Sequence, residues 1–222
     1  MGMAHPAAYQ AAAGIAAAVH LLCHRAWARA GDGTPRRALF DGLSHGSAAL
    51  AVIVPAAPRV PEPGWFLATG LAGGLLLDLD HILAAQSIRL DRCMTMPARP
   101  PTHSFPTALL ASVGLARLRP WRGLGLGLFL GLMSHLLRDL GTGGAPVFHP
   151  RRVIECAYPT SLLLTAALAV FGCSLAARSP LTRSQAVSGL GSYSPPGPIL
   201  VTAPSHVALP SGTSSSDQRI ER

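Results

Sequence analysis

The chain has 222 residues, 49% apolar and only 13% charged, about half the charge of a soluble domain at roughly 25%. With a mean hydropathy of +0.36, this argues against a soluble globular enzyme and for a membrane protein. The net charge of +8 rests on arginine alone, all 18 basic residues being Arg. Most of them sit in short links between apolar stretches, which suits loops at the lipid headgroups, and no nucleic-acid partner is expected.

Six apolar stretches follow one another along the chain. The first, from about Ala7 to Leu22, is alanine-rich; no Arg or Lys precedes Arg25, so the basic start of a signal peptide is absent. The second runs from Leu43 to Ala57, with Pro55 near its end. The third starts at Trp65 and reaches Leu77, or Ala85 at the farthest. The fourth, Phe105 to Leu118, is short, and the fifth, Gly123 to Leu137, is glycine-rich. The sixth, Tyr158 to Ala177, is the cleanest. Crossing the hydrocarbon core takes about 20 apolar residues, roughly 17 at least, which only the third and sixth clear comfortably. The predicted fold is all-α: a polytopic transmembrane helical bundle of about six apolar helices, four to six of them spans, over residues 1–177. From 178 to 222 Ser, Pro and Gly dominate without a helical period, so this tail is expected to be disordered.

Gly70 and Gly74 form one GxxxG pair, and Gly123, Gly127 and Gly131 form two more in register. That spacing lets helix backbones approach in lipid, although a general glycine bias accounts for it equally well. Cys23, Cys93, Cys156 and Cys173 show no CxxC pairing and read as small residues or free thiols. No Walker loop, dinucleotide fingerprint, HExxH or GxSxG occurs.

Ionisable residues inside apolar stretches persist where they pair, bind an ion or line a cavity. Here they are His45, Asp78, Asp80, His81, His103, His135 and Asp139, with His20 and His24 closing the first stretch. In an alternating bundle the start of an even span and the end of an odd span share one side, so all of these fall on the same membrane face. His135 and Asp139, spaced i, i+4, share a helix face, as do Asp78 and His81 at i, i+3. Asp80 joins them only if the helix ends or unwinds, and otherwise orients His81. Arg138 is expected to point away. His20, His24 and His149 each read as interfacial or capping residues. A His/Asp set without cysteine suits a catalytic divalent transition metal, zinc or manganese foremost. Such an ion activates water and polarises a phosphoryl or carbonyl oxygen. A proton or ion path and simple structural pairing are the competing readings.

The motifs SHGSAAL (His45), LLDLDH (Asp78, Asp80, His81), ARPPTHS (Arg99, Thr102, His103, Ser104) and SHLLRDLGTGG (His135, Asp139, Thr142) follow in order. Together they resemble the YdjM-like, membrane-associated metal-dependent hydrolases, whose pattern is an early helical His, PDxDH, HRGxTHS and HxxxDxxT. His149-Pro150 resembles the close of the last motif, and the likeness covers about Asp41 to Pro150. Leu77, Ala98 and Pro100 replace the family's Pro, His and Gly. The resemblance implies metal ligation by His45, Asp78, His81, His135 and Asp139, and catalytic roles for Asp80, His103 and Asp139. Arg99, Thr102, Ser104 and Thr142 would bind substrate, the hydroxyls of Thr102 and Ser104 lying where free helix N–H groups favour anions. The expected activity is hydrolysis near the headgroup level of a phosphoester or lipid-linked substrate. The alternatives are an ion, proton or metal transporter using the same cluster, and a scaffold impaired by the change to Ala98. Counting Arg in the links, nine on the cluster side against six opposite, places the site at the cytoplasmic face of a bacterial plasma membrane.

Overall fold

The computed structural model describes residues 6–96, 99–118, 122–148 and 152–178. Ala98, His149-Pro150 and the tail beyond Arg178 lie outside the described residues. The elements are α1 (Pro6–Ala28), α2 (Pro35–Ile53), α3 (Pro63–Leu76), α4 (Asp80–Ala85), α5 (Leu90–Met94), α6 (Phe105–Arg117), α7 (Arg122–Leu140) and α8 (Tyr158–Arg178). Among the described residues there is no strand, only a bridge between Ala145 and Ile154.

Prolines open α2, α3 and α6, where the missing N–H costs nothing and the fixed φ suits a helix. Thr34 caps α2 by accepting the Arg37 backbone N–H at 3.2 Å. Three helical segments are long and apolar enough to cross a membrane: Pro6–Ala28, Pro63–Ala85 and Tyr158–Arg178. The apolar helix Phe105–Arg117 is shorter. Helices α2 and α7, with 19 residues each, carry most of the buried polar side chains. Two boundaries differ most from the sequence expectation: α1 continues to Ala28, and α2 begins at Pro35 rather than Leu43. In both cases the added turns are polar enough to fall outside an apolar stretch yet continue the helix.

Helix α7 is the axis, packed by α2, α3, α6 and α8, while α1 lies on α2. Ile53 of α2, Phe66 of α3 and Leu130 of α7 are fully buried in one apolar core. The α3–α7 crossing is a backbone contact. A Cβ on Gly131 would overlap the Gly70 carbonyl, and one on Gly127 would overlap the Phe66 carbonyl. One on Gly74 would lie 2.5 Å from Ala49 Cβ on α2. Helix packing therefore explains Gly70, Gly74, Gly127 and Gly131, whereas Gly123 has nothing within 4 Å.

At the far end of α3 the chain tightens into a 3-10 turn over Leu77–Leu79 before α4. The tighter winding changes the angle between successive side chains, so Asp78 and Asp80 can both face inward. Gln86, in the left-handed conformation with φ 48°, ends α4 and turns the chain towards α5.

Candidate metal centre

Four segments meet at one end of the bundle. Helix α2 brings His45, the α3–α4 junction Asp78, Asp80 and His81, the approach to α6 His103, and α7 His135 and Asp139.

The tautomer of His135 follows from its surroundings. Its Nδ1 lies 2.9 Å from the Gly74 carbonyl oxygen, which can only accept, so Nδ1 carries a proton and, in the neutral ring, the lone pair is on Nε2. That Nε2 is buried without a hydrogen-bond partner, yet lies 3.3 Å from Asp78 Oδ1 and 3.5 Å from Asp139 Oδ2. His103 is held alike: Nδ1 sits 2.9 Å from Asp80 Oδ2, and Nε2 lies 3.3 Å from Asp78 Oδ1 and 3.9 Å from Asp139 Oδ2. Ligand atoms of Asp78, His103 and His135 thus lie within 4.8 Å of one another, with Asp139 Oδ2 beside the two imidazoles. A tetrahedral ion bound at about 2.0–2.1 Å spaces its ligand atoms by about 3.3–3.4 Å, close to three of these four distances. Lone pair facing carboxylate is repulsive unless a cation lies between, and an orphaned buried nitrogen needs the same remedy. The donor set could therefore hold a metal ion. The carboxylates favour a cation at this point.

The other expected residues take distinct places. His45 Nε2 lies 3.4 Å from Asp139 Oδ1 and 3.8 Å from Asp78 Oδ2, and its ring stacks on that of His135 at 3.7 Å between centroids. His81 Nδ1 is 3.0 Å from Asp80 Oδ1 and 3.7 Å from Asp78 Oδ1, but off the direction of a hydrogen bond. Asp80 does join the cluster, accepting from Thr102 as well as His103. Ser104 shares a hydrogen bond with Thr107 at 3.0 Å, so the hydroxyls of Thr102 and Ser104 are engaged within the protein. Arg99 donates to Asp139 Oδ2 at 2.8 Å, and Thr142 donates to the Arg138 carbonyl at 3.1 Å. Arg99 and Thr142 both line the adjoining cavity.

Two residues depart from the sequence reading. Arg138 points inward rather than away: NH1 lies 2.9 Å from His45 Nε2 and NH2 lies 2.5 Å from Asp41 Oδ1. Asp41 was not foreseen as part of the cluster, although it precedes His45 by one helical turn, the same i, i+4 relation that marks His135 and Asp139. His20 and His24 tie α1 to its neighbours. His20 Nδ1 meets the Ser44 carbonyl at 3.0 Å and Nε2 meets Tyr158 Oη at 3.1 Å, while His24 stacks on Tyr158 at 3.6 Å. The four cysteines are free.

A cavity of about 510 Å³ opens beside the cluster. Its wall includes Asp41, Asp78, Arg99 and Arg138 as well as Leu79, Ile82, Leu90 and Met94.

No curated protein and no solved structure matches this chain. The family described as YdjM inner membrane protein matches residues 40–203, which include every residue of the cluster, and the chain belongs to that family.

Proposed function

We propose that this protein is a membrane-embedded, metal-dependent hydrolase acting at the headgroup level on an amphiphilic phosphoester, such as a lipid-linked phosphate. The observation that carries this reading is the orphaned Nε2 of His135, aimed with His103 Nε2 at one oxygen each of Asp78 and Asp139. These four residues would hold the ion. A divalent metal there supplies an activated water and polarises the phosphoryl oxygen. Asp80 and the Gly74 carbonyl fix the ring orientations of His103 and His135, as carboxylate and carbonyl partners of metal-bound histidines do. Arg99, anchored on Asp139 and facing the cavity, is placed to take the substrate's negative charge. The mixed wall of the cavity suits a molecule with a charged end and a hydrocarbon end.

The apolar seal of Ile53, Phe66 and Leu130 on α2, α3 and α7 favours a centre closed on one side over a conducting path. Metal analysis of detergent-purified protein, with hydrolysis of a chromogenic phosphodiester and of phosphatidate in mixed micelles, tests the proposal. The expected result is a bound transition metal and hydrolysis lost in His135→Ala. Absence of metal from wild type, with no effect of His135→Ala on any hydrolysis, overturns it.

A further inference from the structure

The two central carboxylates each face two ways. Asp78 turns Oδ1 towards His103 and His135, and Oδ2 towards His45. Asp139 turns Oδ2 towards His135, His103 and the Arg99 guanidinium, and Oδ1 towards His45. Two carboxylates bridging two clusters of donors is the arrangement of a paired-cation centre, where two ions share bridging ligands. The second cluster comprises His45, Asp41, and the remaining oxygens of Asp78 and Asp139. His45 with Asp41 and Asp78, and His45 with His135 and Asp139, each bring ligand atoms within 4.8 Å of one another.

A cation already stands in that second cluster. Arg138 NH1 lies 2.9 Å from His45 Nε2 and 3.5 Å from Asp139 Oδ1, and NH2 lies 2.5 Å from Asp41 Oδ1. The guanidinium is buried, with 2% of the side chain exposed, and its Cζ lies 5.0 Å from the centre of the Trp27 ring. It is thus held between an aromatic face and the donor cluster. Arginine stays charged at every pH the protein meets, and it leaves no room at His45 Nε2 for another cation. We propose that the Arg138 guanidinium permanently occupies the second cation position of a two-cation centre, so that the protein binds one metal ion per chain and supplies the other positive charge itself.

This inference rests on the metal-centre reading above, and its test separates the two. Metal per chain is counted by elemental analysis of purified protein equilibrated with Mn(II), and the spin-coupling of the bound Mn(II) is read by electron paramagnetic resonance. Wild type should hold one ion with an uncoupled spectrum. Arg138→Gln should hold two with the spectrum of a coupled pair, and Arg138→Lys, which keeps the charge, should return to one. A coupled pair in wild type overturns the proposal whether or not a variant folds. A single ion in folded Arg138→Gln, and in Arg138→Ser if the glutamine variant aggregates, also overturns it while leaving the metal centre standing. No ion in wild type overturns the metal centre itself. A merely structural Arg138 would alter stability but not the count.

Discussion

Removing the Asp80 carboxylate by Asp80→Ala should weaken metal binding without dismantling the centre. Asp80 touches no other atom of the proposed ligand set than His103, whose Nδ1 it meets at 2.9 Å. Without it the ring has a buried N–H with no acceptor, or else shifts its proton to Nε2 and blocks the lone pair that should bind the ion. Leaving a buried donor unpaired costs about 1–3 kcal/mol. The Asp80 side chain is 15% exposed, so water can replace part of the lost bond, which favours the lower part of that range. About 1–2 kcal/mol corresponds to a factor of roughly 5–30, within the range of about 10–100-fold seen when outer partners of metal-bound histidines are removed. The assay is competition with a fluorescent zinc chelator on detergent-purified protein, run beside Asp78→Ala. Asp78→Ala, which loses a ligand shared by both histidines, should fall well below Asp80→Ala. Equal losses in both, or no loss in Asp80→Ala, would refute the division of roles between these two carboxylates.

Gly131→Ala should force α3 and α7 apart, because the new Cβ meets the Gly70 carbonyl; overpacking of this kind costs about 1–3 kcal/mol. A lowered melting temperature with Gly123→Ala unchanged is the expected pattern, and equal melting of both variants would count against the backbone contact. His20→Ala loses partners on α2 and α8, so it should lower the melting temperature while leaving the metal count at the wild-type value; a change in the count would show that His20 reaches the centre. Stripping the metal with chelator should destabilise wild type by about 2.7 kcal/mol when compared with free ion at 100 times its dissociation constant. The same treatment should leave the melting of His135→Ala unchanged. Arg99→Ala should raise KM for an anionic substrate more than it lowers metal content, checked by kinetics beside elemental analysis.

The architecture was legible because the apolar stretches and the positions of their polar ends obey one alternation rule. His45, Asp78, His103, His135 and Asp139 fall on one side of that alternation, and the structure gathers them there. Asp80 was legible only as a condition, since its inward direction depends on the 3-10 turn at Leu77–Leu79, a local tightening that no helical period foretells. Asp41 was missed for a hydropathy reason: Arg36, Arg37 and Asp41 pull the average down, so α2 seemed to begin at Leu43 although the helix starts at Pro35. Arg138 was misread as well. A cation beside the ligands was expected to weaken metal affinity and so to point away, whereas Asp41 gives the guanidinium a counter-ion inside. The glycine spacing was ambiguous because composition alone can produce it; only the neighbours of each glycine separate Gly131, in backbone contact, from Gly123, in open space.

The backbone contact between α3 and α7 also bears on how the protein comes into being. The centre draws on residues from His45 to Asp139, nearly a hundred positions apart in the chain, and its last contributors lie on α7. A nascent chain that has delivered α2 and α3 to the bilayer holds only part of the ligand set. The docking of α7 onto the glycine face of α3 supplies the missing histidine and carboxylate in the same step. On the proposed metal reading, ion capture follows this docking step, and a chain cut before His135 would lack both donors of α7.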